Sequence, residues 1–464
     1  MAAPPSATRA CARLRATKKI ILIVIDGLTP AMLEDAVERR ATPWLAFLAD
    51  HGSYRRAVST FPSLTPVCLA SIATGAHSDV HEIPHLVWWH RGRERLVEYG
   101  SSWGAIRAAG ARRSIMDTIF TLNAEHLGKG AVTVYESLED AGLVPAAVNI
   151  TCYRGRTPHR GKVPGFTRPV LGPRRFFFYS LIESDPTGAP LAWRNRPGGT
   201  IDGYATAVAR WLVTRDGFDF LVYYLSDYDY ASHEHGPDAA HDVLARCDEG
   251  IGTLIEAAGG PDEFLERYAV IVCSDHGQTA VTQAATLQER YAGVPGALVT
   301  ASNRAGMVYR LPGCREDERE LARRLDNNPS VEVVLFREGV EAVARRDGEE
   351  LRFRPAGEGW ATSGDVSLLD HPNGLERSWA ALANPNSGEL IVSAAEGWEL
   401  ADLAGRHHVG GGSHGSLVTG DSEVPMLTVG LHSEPAGITD IAPLALEHFG
   451  VALPPYARPP ARVR

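Results

Sequence analysis

The chain has 464 residues, 44% hydrophobic and 22% charged, with a formal net charge of −10. That length supports a large buried core, arranged as one α/β domain with an insertion or as two domains. The negative balance excludes a surface that coats nucleic acid, so an anionic substrate must be held locally, by cationic side chains or metal ions.

Residues 1–16 read as a loose tail. Arg9, Arg13, Arg15, Lys18 and Lys19 precede an apolar run too short for a secretory signal core, and Asp26-Gly27 follows it instead of a small-residue cleavage site. No stretch of about 18 apolar residues occurs, so no membrane span is expected. The six cysteines, Cys11, Cys68, Cys152, Cys247, Cys273 and Cys314, show no CxxC or other paired spacing. Scattered thiols of this kind favour the reduced state over disulfides or a thiolate metal site, and a cytoplasmic location is expected.

Residues 20–25 are all apolar and stop at Asp26-Gly27. This pattern predicts a buried parallel strand delivering one carboxylate to the carboxyl edge of a sheet, where open α/β sheets place their chemistry. Thr29-Pro30 opens a helix to about Arg39, Thr42-Pro43 opens another closed by Gly52, and 57–61 reads as a short strand. A helix then starts near Pro66, with Thr65 at its N-terminus, where free N–H groups and the dipole favour an anion. Residues 102–127 are less periodic; a helix over 131–140 leads to a strand over 145–150 and a basic, aromatic segment, 153–160. A helix at 204–214, a strand at 219–225, the segment SDYDYASHEHGP (226–237) and a helix at 239–258 follow. The strand YAVIVC ends in Ser274-Asp275-His276-Gly277.

From 294 to 398 the pattern changes to a strand MVYRL, a charged helix at 316–325, a strand VEVVLF and a Gly-, Asp- and Pro-rich stretch, 348–386, without clear period. The main fold is expected to resume with ELIVSA, Gly410 to Gly412, Ser413-His414-Gly415, the strand PMLTVGL and a helix over 440–449. Alternating strands and helices predict an α/β fold: a mostly parallel central sheet flanked by helices on both faces, formed by 17–293 and 399–455, with 294–398 as an inserted lid or α+β subdomain.

Four strand or loop ends carry oxygen or imidazole ligands: Asp26; Asp229 with His233; Asp275 with His276; and His414. Each alone has an ordinary structural reading as a turn acid, a helix cap or a loop histidine, and Thr65 alone reads as an N-cap. Their coincidence at successive strand ends points to divalent ions, zinc or manganese, at a hydrolytic site. Two such ions bind both the attacking and leaving oxygens of a phosphoryl transfer. A metal-bound Thr65 hydroxyl at a helix N-terminus is then a candidate nucleophile.

The segments IVIDG, FPSLTPVCLASIATG, DYASHEHGP, VCSDHG and GSHGS resemble, in order and spacing, the alkaline phosphatase superfamily. Within it they resemble the nucleotide pyrophosphatase/phosphodiesterase (type I phosphodiesterase) group, with TPWLAFLADHG and ITDIAPLALEHFGV similar to framework helices. The resemblance implies an alkaline phosphatase-like fold and one metal held by Asp229, His233 and His414. It implies a second held by Asp26, Asp275 and His276, with Thr65 bound to it as nucleophile. It further implies in-line attack, a phosphothreonine intermediate, and retention after two inversions. Two zinc ions, with manganese as alternative, and a small phosphate ester or nucleotide-like substrate complete the expectation; a phosphomonoesterase, phosphonate hydrolase or phosphomutase, or a metal-binding protein without catalysis, are its rivals.

One departure concerns substrate contacts. Where the group carries Pro-Asn after the nucleophile, the asparagine holding a phosphoryl oxygen, this chain has Val67-Cys68. The basic segment is expected to compensate, Arg154 first, with His159 nearby and Tyr153 as a stacking wall, since arginine suits bidentate phosphate contact. Arg156 and Arg160 belong to the same segment. His81 and Glu82 are expected to shape a loop, His235 to be structural, and Trp88-Trp89 and Asn303-Arg304 are further candidates for lining the substrate pocket.

Overall fold

A computed structural model describes residues 17–101, 103–161, 168–179, 181–183, 200–401, 403 and 408–460. Fifteen strands form two main sheets. In chain order they are β1 (Lys19–Ile25), β2 (Ser53–Val58), β3 (Pro145–Val148), β4 (Arg175–Phe178), β5 (Ile182–Glu183), β6 (Phe220–Leu225) and β7 (Tyr268–Cys273). Then come β8 (Ala297–Ser302), β9 (Ala305–Arg310), β10 (Val331–Glu338), β11 (Glu341–Arg346), β12 (Glu349–Ala356), β13 (Gly359–Gly364), β14 (Leu390–Ala394) and β15 (Glu423–Val429).

The first sheet has eight strands in the order β2-β15-β7-β1-β6-β3-β4-β5. Strands β7, β1, β6, β3 and β4 are parallel, while the pairs β7·β15, β15·β2 and β4·β5 are antiparallel. In β1, Ile20, Leu22 and Val24 pack into one core cluster and Ile21, Ile23 and Ile25 into the cluster on the opposite face. Burial on both faces explains why the strand reads as an unbroken apolar run. The expected helix-flanked, mostly parallel sheet is therefore the fold found.

The second sheet has seven strands, β8-β9-β14-β10-β11-β12-β13, all antiparallel. One expectation needs correction, and two stretches read as weakly periodic prove to be ordered. ELIVSA does not resume the first sheet: β14 pairs with β9 and β10 in the second, since a fully buried apolar strand carries no mark of which sheet it joins. The stretch 348–386 is ordered as β12, β13 and a helix, Gly374–Ala383. Only Leu351 and Phe353 of β12 are buried among charged neighbours, too short an alternation to register. Residues 102–127 hold two short helices, Trp103–Ala109 and Ala111–Met116, then Asp117–His126 in π-helical geometry. Its i→i+5 hydrogen bonding departs from the 3.6-residue period that a helix search expects.

Candidate active site

Strands β7, β1 and β6 are adjacent and parallel, so their carboxyl ends lie side by side. Asp26 follows β1, Asp275 and His276 follow β7, and β6 runs into helix α2 (Asp227–His235), which presents Asp229 and His233 one turn apart. Helix α1 (Thr65–Thr74) precedes these and begins at Thr65 itself. His414 follows a short ribbon in which Ser413 pairs with Thr279. Gly27 lies at φ 70°, and a Cβ there would stand 2.7 Å from both Asp229 Oδ1 and Gln278 Nε2. Only glycine lets the carboxylates close up at this turn.

The structure brings all seven predicted residues together. The Thr65 hydroxyl donates to His276 Nε2 at 3.1 Å. The same nitrogen lies 3.4 Å from Asp26 Oδ1 and 3.5 Å from Asp275 Oδ2. His233 Nε2 is 3.3 Å from Asp229 Oδ2, and His414 Nε2 is 4.0 Å from Asp229 Oδ1. The His276 and His414 rings stack with centroids 3.5 Å apart. Two sets of ligand atoms fall within 4.8 Å of one another: Asp26, Asp275 and His276, and Asp229, His276 and His414. His276 thus lies between both sets, whereas the resemblance assigns it to one, and His233 joins through Asp229.

Each histidine directs Nδ1–H to a main-chain carbonyl: His233 to Gly412 at 2.7 Å, His276 to Gly277 at 3.1 Å and His414 to Ser63 at 2.8 Å. That fixes the tautomer and turns every Nε2 lone pair toward the carboxylates, the orientation a metal ligand requires. Facing lone pairs on His233 and Asp229 repel unless a proton or a cation lies between them. Asp26 Oδ1 and Asp275 Oδ2 are buried without a hydrogen-bond partner. Burial, then the neighbouring Asp275 and Asp229 carboxylates, pushes the Asp26 pKa well above the usual range, and burial also raises Asp275. Burial opposes ionisation of Asp229, but His233, then His414 and His276, hold its pKa below the ordinary value. Three crowded carboxylates with two orphaned oxygens and three oriented imidazoles form a donor set that fits divalent cations. Ligands about 2.0–2.2 Å from one ion stand roughly 3–3.5 Å apart, close to the separations found.

Several further side chains support the site, and of these the sequence singles out only Asn303, as a candidate for lining the substrate pocket. Tyr224 donates to Asp26 Oδ2, and Gln278 donates to Asp229 Oδ1 while accepting from Ser232 at 2.6 Å. Asn303 Nδ2 donates to His414 Nε2 at 3.0 Å. His408 stacks on His233 at 4.1 Å and is held by Glu399 at 2.6 Å. Tyr224 is next to last in a recognised strand and Gln278 directly follows the turn at 274–277, the one local signal available; Asn303 lies in the turn before β9 and Glu399 beyond β14, far from the other site residues in sequence.

The substrate contacts expected of the basic segment are corrected by the structure. Arg154 spends its guanidinium on Glu136 and on the carbonyls of Leu127, Gly128 and Ala131. Tyr153 is fully buried, packs on Phe176 at 4.3 Å and donates to Ile119 O, so it is no stacking wall. His159 bonds Pro173 O at 2.8 Å and packs on the same phenylalanine. Arg156 pairs with Glu136 and Asp140. Cys68 is fully buried, its thiol 3.3 Å from Ser59 Oγ, and burial pushes its pKa up, so it presents nothing to a substrate. His81 bonds Ser71 at 3.1 Å as a loop-shaping residue, and Trp88 is core. No helix among the described residues is long and apolar enough to cross a membrane.

The sequence matches the family model for type I phosphodiesterase / nucleotide pyrophosphatase over residues 20–417. No protein of curated function matches it. Among solved structures, phosphonoacetate hydrolase from Sinorhizobium meliloti 1021 in complex with phosphonoformate is similar in fold, with a TM-score of 0.63 at 18% identity over 94% of this chain and 96% of that one. Murine ectonucleotide pyrophosphatase/phosphodiesterase 5 gives 0.63 at 15% identity over 96% and 98%. The human form gives 0.60 at 15% over 96% and 97%.

Proposed function

The chain belongs to the type I phosphodiesterase / nucleotide pyrophosphatase family, a family of phosphoester hydrolases, and from that premise we propose that it hydrolyses phosphodiester or pyrophosphate bonds through Thr65. The observation that carries the reading is the Thr65 hydroxyl, 3.1 Å from His276 Nε2 at the start of α1, beside two carboxylate oxygens without partners. Asp229, His233 and His414 would hold one divalent ion, and Asp26, Asp275 and His276, with Thr65, the other. Zinc is the ion of choice for this nitrogen- and oxygen-rich set, with manganese the alternative. Such ions lower the pKa of a bound hydroxyl and neutralise charge on phosphoryl oxygens.

The residues then act as follows. Thr65 gives up its proton to solvent and its Oγ attacks phosphorus opposite the leaving oxygen; the Oγ–P bond forms as the P–O bond to the leaving group breaks, and that group departs with a proton from solvent. Water attacks the phosphothreonine opposite Oγ and releases a proton to solvent; the new P–O bond forms as the Oγ–P bond breaks, Oγ takes up a proton to restore the hydroxyl, and two inversions leave net retention. Tyr224 and Gln278 keep Asp26 and Asp229 in place throughout. The scattered thiols, free at all five described cysteines, support a cytoplasmic location. Steady-state rates on bis-p-nitrophenyl phosphate against p-nitrophenyl phosphate test the bond class; a strong monoester preference would sink the diesterase assignment. A second reading, C–P hydrolysis of a phosphonate, draws on the fold shared with phosphonoacetate hydrolase, and phosphate release from phosphonoacetate would favour it.

A further inference from the structure

The second sheet sends one side chain into the site. Asn303 opens the two-residue turn between β8 and β9, across which Ser302 pairs with Ala305. Its φ of 59° is left-handed, a conformation asparagine tolerates better than most residues. Arg304 N–H donates to His414 O at 2.9 Å and Leu400 N–H to Asn303 O at 2.7 Å, so the turn is tied to the loop that carries His414. Ser302 Oγ donates to Asn303 Oδ1 at 2.9 Å, which directs the amide nitrogen to His414 Nε2 at 3.0 Å.

That lone pair is the one His414 offers to a metal ion. A cation held by His414 Nε2 would take that lone pair, and the amide of Asn303, a residue only 7% exposed, would then face the site without its acceptor. A buried donor in that position is costly until a new acceptor arrives, and a phosphoryl oxygen of the substrate supplies one. Helix α1 offers no side-chain amide for the task, since Val67 and Cys68 are fully buried.

We propose that Asn303 donates its amide N–H to a non-bridging phosphoryl oxygen of the bound substrate, so that the second sheet completes a site otherwise built on the first. The proposal rests on the phosphoryl-transfer reading above. The bond strengthens as charge builds on that oxygen, and the residue contributes to turnover as well as to binding.

The test uses the metal-loaded full chain and two substitutions: Asn303→Gly, which keeps the left-handed turn, and Asn303→Asp, which keeps the volume but replaces the donor with a carboxylate. Bound metal is expected to stay at the wild-type ratio, while kcat/KM on bis-p-nitrophenyl phosphate falls about 100-fold. The rise in melting temperature on adding orthovanadate is expected to disappear. A retained vanadate response and wild-type kcat/KM in both variants would overturn the proposal. So would metal loss in step with activity, which would make Asn303 a support for His414 alone. Thr65→Ala separates the two layers: activity surviving that change defeats the phosphothreonine mechanism, while vanadate binding still reports on Asn303.

Discussion

In the eight-stranded sheet, β1, β6 and β7 are buried along their length on both faces, and an acid stands one to two residues beyond β1 and β7 and four beyond β6. In the seven-stranded sheet, β12 and β13 are largely exposed, and ion pairs gather toward that end, Arg319 with Glu338 and Glu350, Arg345 with Asp326 and Glu350, and Arg352 with Glu338. A strand buried on both sides has room for a polar group only at its end, so chemistry and position coincide. A sheet with one wet face carries polar residues anywhere along it, so the sequence marks Asn303 as a pocket candidate without showing that it meets His414. The first sheet should therefore carry the metal ligands and the nucleophile, and the second should add contacts that refine binding.

The sharpest way to break that division is at Thr65. Thr65→Ala is expected to lower turnover by roughly 10³-fold or more while leaving bound metal unchanged; residual activity near wild type would remove the first sheet's nucleophile. Asp229→Ala or His414→Ala is expected to lower the metal content from two ions to one, measured by elemental analysis, with activity falling in parallel. An undiminished metal content would contradict the assignment of those ligands. Both effects should exceed that of any substitution at Asn303.

Asp26, Asp275 and His276 were legible because they sit where an apolar run stops, whereas Thr65 at a helix start, Asp229 and His233 on the helix after β6, and His414 behind a glycine run drew their meaning from the others. Asp26 after Ile25 and Asp275 after Ser274 need no tertiary knowledge to be noticed. The substrate side was misread for a complementary reason. A cluster of arginines and an aromatic looks the same in sequence whether it faces a ligand or braces a loop, and Arg154 braces a loop, meeting Glu136 and three carbonyls. Asn303 lies 111 positions from His414, a contact decided by how one sheet docks on the other. Tyr224 sits inside β6 as one more apolar-strand aromatic, and only the strand register places its hydroxyl on Asp26.

Arg154 offers a milder test of the same contrast. If the basic segment bound phosphate, Arg154→Ala would raise KM. The structure instead predicts an unchanged KM and a loss of about 2 kcal/mol in stability, since the change removes the donor that the Leu127, Gly128 and Ala131 carbonyls share and leaves Glu136 with Arg156 as its one arginine partner. Thermal melting and steady-state kinetics on one preparation separate the two outcomes.

The smallest effect expected is a pH dependence beneath the first sheet. Asp202 accepts from the N–H groups of Ser226 at 2.8 Å and Asp227 at 3.3 Å, fixing the entry to α2, and Cys247 lies 3.6 Å from its other oxygen. Burial, then the Asp227 carboxylate, pushes its pKa up to about 7, against ~3.9 in the unfolded chain. Because the folded form holds the proton more tightly, the stability Asp202 contributes is full below about pH 4 and is lost as pH rises through about 7. Asp202→Asn keeps an acceptor for both amides and carries no charge. It should flatten the fall in melting temperature across that window when wild type and variant are compared with the same metal loading, which cancels titration at the metal ligands. Parallel curves would show that Asp202 titrates as an ordinary carboxylate. The Arg–Glu pairs of the second sheet lack such a raised carboxyl: hydrogen bonds from Arg319 and Arg352 lower the Glu338 pKa, and at Glu350 burial pushes up but Arg319 and Arg345 together outweigh it. Stability should therefore respond to pH near neutrality through the sheet that carries the site and not through those pairs.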